Sequence, residues 1–229
     1  MFSHIFLAVT ATELAEFRPT KTAYMACHFS PYGKGLSNIP VMLPPNSILL
    51  LDDSTPPFGH EQEAVTEQLR KLSAQFSANA VLLDFQGEPT AESMAMAEHL
   101  VNTLPCKVAV TERYAKTLGC PVFLPPTPVT VPLQAYLEPW LKQGVYLEIA
   151  PSGVQYTITQ SGSTSLPIPY KELSLQDKKL HCHYAVESFP EKAVFTLCRT
   201  KEDLRALVQQ ATDLGVLGCV GLFQELSRL

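Results

Sequence analysis

The sequence has neither a long apolar run nor a cluster of basic residues, and each absence excludes a class of protein. No stretch reaches the roughly 18 apolar residues that a membrane-spanning helix needs. The first ten residues contain only the short apolar run Ile5–Val9, with no basic segment before it, which is unlike a signal peptide. We therefore expect a cytoplasmic protein that does not associate with membranes.

Charge and motif content argue against several partners. Lys and Arg number 17 against 22 Asp and Glu and do not cluster, so we expect no nucleic-acid partner. No CxxC pair, GxGxxG or GxxxxGK(S/T) occurs, and we predict neither a bound metal nor a cofactor. The six cysteines are scattered, which favours free thiols over a disulfide framework. They are Cys27, Cys106, Cys120, Cys182, Cys198 and Cys219.

What the sequence does contain is a regular alternation of short apolar runs and amphipathic helices. This alternation is typical of buried parallel strands linked by helices. The predicted helices are Glu61–Phe76, Thr90–Leu104 and Thr200–Leu214. The predicted strands are Tyr24–Phe29, Ser47–Leu51, Ala80–Phe85, Lys107–Thr111, Pro121–Leu124, Val145–Ile149, Ala193–Cys198 and Cys219–Phe223.

About eight strands in 229 residues favour closure, so we predict one α/β domain over residues 1–229, a compact (β/α)8-type TIM barrel. The chain ends a few residues after the last predicted strand, so we expect the final helix to be missing or replaced by the N-terminal segment. Alternating residues around Pro151-Ser152-Gly153 predict a β-hairpin insertion near residues 145–169, above the mouth of the barrel.

Polar residues follow several predicted strands, where the functional residues of a barrel lie. Asp84, Gln86 and Glu88 alternate after one strand, so their side chains point the same way. Crowded carboxylates raise one another's pKa, as a general acid requires. The other candidate ligand-binding residues at strand ends are His28, Tyr32, Asp52, Glu112 and Glu148.

The segment Ala78–Pro89 resembles the fourth-strand signature DxxDxDxE of family 18, the chitinase-like glycoside hydrolases. Asp84, Gln86 and Glu88 occupy its last three positions and Val81 its first. The end of the chain is also similar, with a helix, Gly215 and a last strand that ends in an aromatic residue. Ser47–Ser54 resembles the third strand of such barrels.

The resemblance implies an N-acetylglucosamine-type glycan as the small polar ligand. In this family the substrate's own N-acetyl group is the nucleophile. Glu88 would be the general acid and Asp84 would assist it. Gln86 stands where the family has the aspartate that orients the acetamide, and Phe223 would form the floor of a sugar subsite.

Three alternatives stay open. The Gln86 replacement favours a non-catalytic glycan-binding or interaction module on the same fold. A second is a metal-assisted barrel hydrolase that uses rim carboxylates, namely Asp52, Asp84, Glu88, Glu112 and Glu148. In the third, Asp84 and Glu88 only cap the next helix near Thr90.

Overall fold

The computed structural model describes residues 5–32, 34–54, 61–151 and 153–227. The strands, in chain order, are β1 Ile5–Val9, β2 Thr22–Phe29, β3 Leu36–Ser37, β4 Ile48–Asp52, β5 Ala80–Asp84, β6 Lys107–Thr111, β7 Val122–Leu124, β8 Val145–Glu148, β9 Gly153–Thr159, β10 Gly162–Ile168, β11 Leu175–Asp177, β12 Cys182–Phe189, β13 Lys192–Cys198 and β14 Gly218–Leu222. The helices are α1 Ala11–Phe17, α2 Gln62–Phe76, α3 Ala91–Thr103, α4 Glu112–Leu118, α5 Leu133–Leu137, α6 Lys201–Asp213 and α7 Phe223–Leu226.

Eight parallel strands form a closed barrel, which confirms the predicted fold class. Their order around the barrel is β1, β2, β4, β5, β6, β7, β8 and β14, and β1 closes the ring by pairing with both β2 and β14. The first barrel strand is therefore the short apolar run Ile5–Val9, which was not among the eight predicted strands. The short β3 adds an antiparallel pairing to the end of β2.

The prediction that Ala193–Cys198 is a barrel strand was wrong. That run lies in β13, which pairs antiparallel with β9 and β12 in a separate five-stranded sheet. An apolar run of six or seven residues suits a buried parallel strand as well as the centre of an antiparallel sheet. Only the pairing partners distinguish the two.

The inserted sheet is larger than the predicted hairpin. Strands β9 and β10 form that hairpin, but the insertion continues through β11, β12 and β13 to Cys198. Val145–Glu148 is not part of it, because this segment is barrel strand β8. Directly after β13, the buried guanidinium of Arg199 donates hydrogen bonds to the carbonyl oxygens of Thr127 and Pro128 and so fixes the insertion to the barrel loop after β7.

The helices cover the outside of the barrel as their periodicity predicts. Helix α6 begins with the capping box of Thr200 and Asp203, and it buries Leu204, Leu207, Val208 and Ala211. The connection from β2 to β4 contains no helix in its described part. After β14 the described part of the chain continues through the four-residue helix α7 to Ser227. No helix of the described ranges is long and apolar enough to cross a membrane.

Alternation along the strands fills the barrel with apolar side chains and leaves polar ones at its mouth. Inward-facing residues include Leu50, Leu82 and Tyr146, which form one buried cluster inside the ring. Two residues further along β4, β5 and β8 are Asp52, Asp84 and Glu148. Since alternate residues share a face, these carboxyl groups follow directly above the apolar layer.

Candidate functional site

The mouth of the barrel holds a cleft of about 180 Å³. It lies over the carboxyl ends of β5 to β8, the end at which TIM-barrel enzymes bind their ligands. Acidic, basic, amide and hydroxyl groups line it together with apolar side chains. The described residues of its wall are Asp84, Phe85, Gln86, Thr111, Glu112, Arg113, Phe123, Pro125 and Glu148.

Asp84 and Gln86 form a hydrogen-bonded pair on one wall of the cleft. The Gln86 side-chain amide donates to a carboxylate oxygen of Asp84. Burial raises the pKa of Asp84, and the negative charges of Asp53 and Asp52 raise it further, while the hydrogen bond from Gln86 opposes this shift. The pair therefore presents an oriented amide beside a carboxyl group that is partly withdrawn from water.

The turn that carries Gln86 is held by the neighbouring strand end. The Asp53 carboxylate accepts hydrogen bonds from the backbone N–H groups of Gln86, at 3.0 Å, and Gly87, at 2.9 Å. A Cβ atom on Gly87 would lie only 2.9 Å from a carboxylate oxygen of Asp53. Glycine at this position therefore lets the backbone approach Asp53 without displacing its carboxylate.

Glu148 supplies the most perturbed carboxyl group of the cleft. Burial, together with the charges of Asp84 and Glu225, raises its pKa to about 7. No described residue forms a hydrogen bond or ion pair with its side chain. Its carboxyl group thus carries a proton for a large part of the time near neutral pH, as a proton donor must.

Glu88 lies outside the cleft wall. Its side chain is 83% exposed and forms an ion pair of 2.6 Å with Arg113, which does line the cleft. Before Glu88 can carry a proton to a glycosidic oxygen, this ion pair must break. Glu88 and Thr90 share no hydrogen bond; Thr90 caps α3 with Ser93 instead.

Of three other predicted site residues, one lies in the cleft wall and two do not. Glu112 lines the cleft and forms an ion pair of 2.8 Å with Lys116. Asp52 is in register with both Asp84 and His28, but its carboxylate accepts from the backbone N–H of Ser54 at 2.8 Å. Neither Asp52 nor His28 is part of the cleft wall.

Two aromatic candidates lie away from the cleft. Tyr32 is 89% exposed on the loop after β2. Phe223 begins α7, and its ring packs against Phe17 of α1 with centroids 4.7 Å apart. Neither ring lines the described cleft, so a sugar-stacking role for either one remains a prediction.

Several residues of the site did not follow from the sequence. Arg113 and Thr111 line the cleft, and Asp53 shapes it through the turn at Gln86. Thr111 and Arg113 flank Glu112 at the end of β6, so reading every residue at this strand end would have found them. The contact of Asp53 with Gln86 joins residues 33 positions apart and has no local signal in the sequence.

The described residues contain no second candidate site formed by cysteine thiols or by a cluster of metal ligands. All six cysteines are free, and five of them are buried. Within residues 5–32, 34–54, 61–151 and 153–227, no three His, Cys, Asp or Glu side chains come together as metal ligands. The metal-assisted alternative therefore lacks a ligand cluster in this part of the chain.

Comparison with known proteins finds similarity in three dimensions rather than in sequence. No family sequence model matches the chain, and no curated protein sequence does. The spore cortex-lytic enzyme SleL of Bacillus megaterium QM B1551 is 10% identical with a TM-score of 0.56, over 95% of this chain and 70% of that one. The chitinase-like agglutinin of Robinia pseudoacacia is 9% identical with a TM-score of 0.56, over 97% of both chains.

A third solved structure is a family 18 chitinase of Cycas revoluta in complex with (GlcNAc)4. It is 11% identical with a TM-score of 0.54, over 96% of this chain and 94% of that one. The chain therefore has the fold of the family 18 chitinases and chitinase-like proteins, at a low sequence identity. This confirms the expected resemblance for the fold.

Proposed function

We propose that the protein binds a glycan of the N-acetylglucosamine type in the cleft lined by Asp84, Gln86 and Glu148. The observation that carries this proposal is the Gln86 amide, which Asp84 holds at the cleft wall. An oriented amide offers both a donor and an acceptor, and the acetamide of an N-acetylated sugar needs both.

The structural neighbours support a glycan as the ligand. The Cycas revoluta chitinase is described in complex with (GlcNAc)4, and the Robinia pseudoacacia protein is described as an agglutinin. The agglutinin indicates that this fold is also compatible with a non-catalytic role. Replacement of the family aspartate by the neutral Gln86 supports the same role, because a neutral amide loses a charge-assisted hydrogen bond worth about 1.5–3 kcal/mol.

Glycoside hydrolysis with Glu88 as general acid is the second candidate. Glu88 follows Gln86 by two residues, and its partner Arg113 forms part of the cleft wall. A substrate that attracts Arg113 would free Glu88 for proton transfer. If Glu88 is the general acid, the wild type should hydrolyse the glycan and the Glu88→Gln variant should not.

The proposed ligand can be tested by calorimetric titration of the wild type with N-acetylglucosamine tetramers and, separately, with glucose tetramers. We expect binding of the N-acetylated tetramer and at least tenfold weaker binding of the glucose tetramer, since the Gln86 amide then has no acetamide partner. In Gln86→Ala, the affinity for the N-acetylated tetramer should fall about tenfold, as loss of one hydrogen bond predicts.

A matched control is Gln75→Ala, which removes an exposed amide from α2 on the outer surface. It should bind the N-acetylated tetramer as the wild type does. Equal affinity of wild type and Gln86→Ala for that tetramer, or no heat of binding with the wild type, would contradict the proposal.

A further inference from the structure

We propose that Glu148 and Asp84 form a catalytic pair that cleaves glycosidic bonds without help from an N-acetyl group on the substrate. The inference rests on the proposed function, since it requires a glycan in the cleft. It differs from the Glu88 candidate in the residue that donates the proton and in the substrates that are accepted.

The two carboxyl groups line the same cleft at the mouth of the barrel. Asp84 ends the fourth strand of the barrel and Glu148 ends the seventh, so three steps around an eight-stranded ring separate them. Both side chains follow the inward-facing residues of their strands, and both line the same cleft. Two carboxyl groups that flank a bound sugar are the arrangement of most glycoside hydrolases.

The surroundings favour the proton on Glu148 more strongly than on Asp84. Burial raises the pKa of Asp84, but the hydrogen bond that it accepts from Gln86 opposes this shift and favours its ionised form. Glu148 has no such donor among the described residues and faces the negative charges of Asp84 and Glu225. One carboxyl oxygen of Glu225 is itself buried without a described hydrogen-bond partner. Glu148, with its pKa of about 7, is therefore the group that holds the proton.

Charged groups on other strand ends act on both members of the pair. Asp52 and Asp53 raise the pKa of Asp84 and so oppose the effect of Gln86. Glu112 of the cleft wall is paired with Lys116, and Arg113 is paired with Glu88. Arg113 and Lys116 thus already have carboxylate partners. Glu148 has no cationic partner among the described residues.

In the reaction, the Glu148 carboxyl proton passes to the glycosidic oxygen as the bond from that oxygen to the anomeric carbon breaks. The bonding electron pair stays with the leaving oxygen, which departs as an alcohol. A water molecule uses a lone pair to form the new bond to the anomeric carbon, and Asp84 accepts the proton that this water loses. Proton exchange with solvent then returns Glu148 to its acid form and Asp84 to its carboxylate.

This reaction determines which glycosides the protein should cleave. Neither Glu148 nor Asp84 requires an acetamide at the second carbon of the sugar. Glycosides with a hydroxyl group there should therefore be cleaved as well as N-acetylated ones, although Gln86 favours binding of the latter.

The test uses fluorogenic β-glycosides of N-acetylglucosamine oligomers and of glucose oligomers with the wild type, Glu148→Gln, Asp84→Asn and Glu88→Gln. We expect hydrolysis of both series, with kcat/KM lowered about 10²–10⁴-fold in Glu148→Gln and in Asp84→Asn. The wild-type kcat/KM should decline as pH rises above 7. Glu98→Gln, on the exposed face of α3, should retain wild-type rates.

Hydrolysis that requires the acetamide and is lost in Glu88→Gln but kept in Glu148→Gln would overturn the inference. Absence of hydrolysis of either series would overturn it too. In both cases, calorimetric binding of the N-acetylated tetramer would leave the proposed function standing, so the two failures are distinguishable.

Discussion

The Asp53 carboxylate accepts a hydrogen bond of 2.9 Å from the backbone N–H of Gly87. This contact joins the ends of the third and fourth barrel strands and fixes the turn from which Gln86 reaches Asp84. The geometry of the cleft wall therefore depends on a residue that does not itself line the cleft.

We predict that Asp53→Ala lowers the free energy of unfolding by about 1–2 kcal/mol, because two backbone N–H groups lose their acceptor. Gly87→Ala should cost a similar amount, since the new methyl group displaces the Asp53 carboxylate. Urea unfolding of the single and double variants measures both effects. The double variant should lose less than the sum of the two, and strict additivity would contradict the coupling.

The pH dependence of stability should report the raised pKa of Glu148. In the unfolded chain this group ionises near its ordinary value of 4.5, whereas in the folded protein it ionises near 7. Between these two values the folded state binds the extra proton, so the free energy of unfolding contributed by Glu148 decreases as pH rises from 4.5 through 7. The expected decrease is roughly 1–3 kcal/mol.

Urea unfolding at pH 5 and pH 8 checks this expectation. Glu148→Gln should lose part of the decrease seen in the wild type, because glutamine does not titrate. Glu98→Gln is the control for an exposed carboxylate and should keep the wild-type dependence. An identical dependence in wild type and Glu148→Gln would show that the Glu148 carboxyl group is not withdrawn from water.

Arg199 should be the most costly polar residue to remove. Its side chain is 1% exposed, burial lowers its pKa to about 10, and it donates to the carbonyl oxygens of Thr127 and Pro128. Arg199→Ala leaves these oxygens without donors and opens a cavity, so we expect a loss of about 2–4 kcal/mol. Urea unfolding measures this loss.

The matched control is Arg205→Ala on the exposed face of α6. Arg205 forms only a surface ion pair of 3.4 Å with Glu202, so its removal should change stability by about 0.5 kcal/mol or less. Arg199→Ala should also weaken glycan binding, because the loop it holds follows Pro125 of the cleft wall. A stability loss as small as that of Arg205→Ala would refute the anchoring role.

Most of the barrel strands could be predicted from the sequence, but the strand that closes the ring could not. Periodicity predicted seven of the eight barrel strands and helices α2, α3 and α6, because apolar spacing and capping residues are local signals. It could not tell that Ile5–Val9 closes the ring while Ala193–Cys198 joins the inserted sheet. Both runs are short and apolar, and only pairing over long sequence distances separates them.

The site was predictable where it depends on alternation alone. Asp84 and Gln86 share a wall because they are two residues apart. Glu148 lines the cleft because it ends β8, and Glu112 because it directly follows β6. The pairing of Glu88 with Arg113 joins residues 25 positions apart and was not predictable. The raised pKa of Glu148 likewise arises from burial and from neighbours on other strands.

The most direct test of a glycan site at the barrel mouth is a crystal structure of the protein with the N-acetylglucosamine tetramer. We expect a pyranose ring in the cleft, with its acetamide about 3 Å from the Gln86 side-chain amide and with Glu148 facing the glycosidic oxygen. A tetramer bound elsewhere on the molecule, with the cleft between Asp84 and Glu148 free of sugar, would contradict the account.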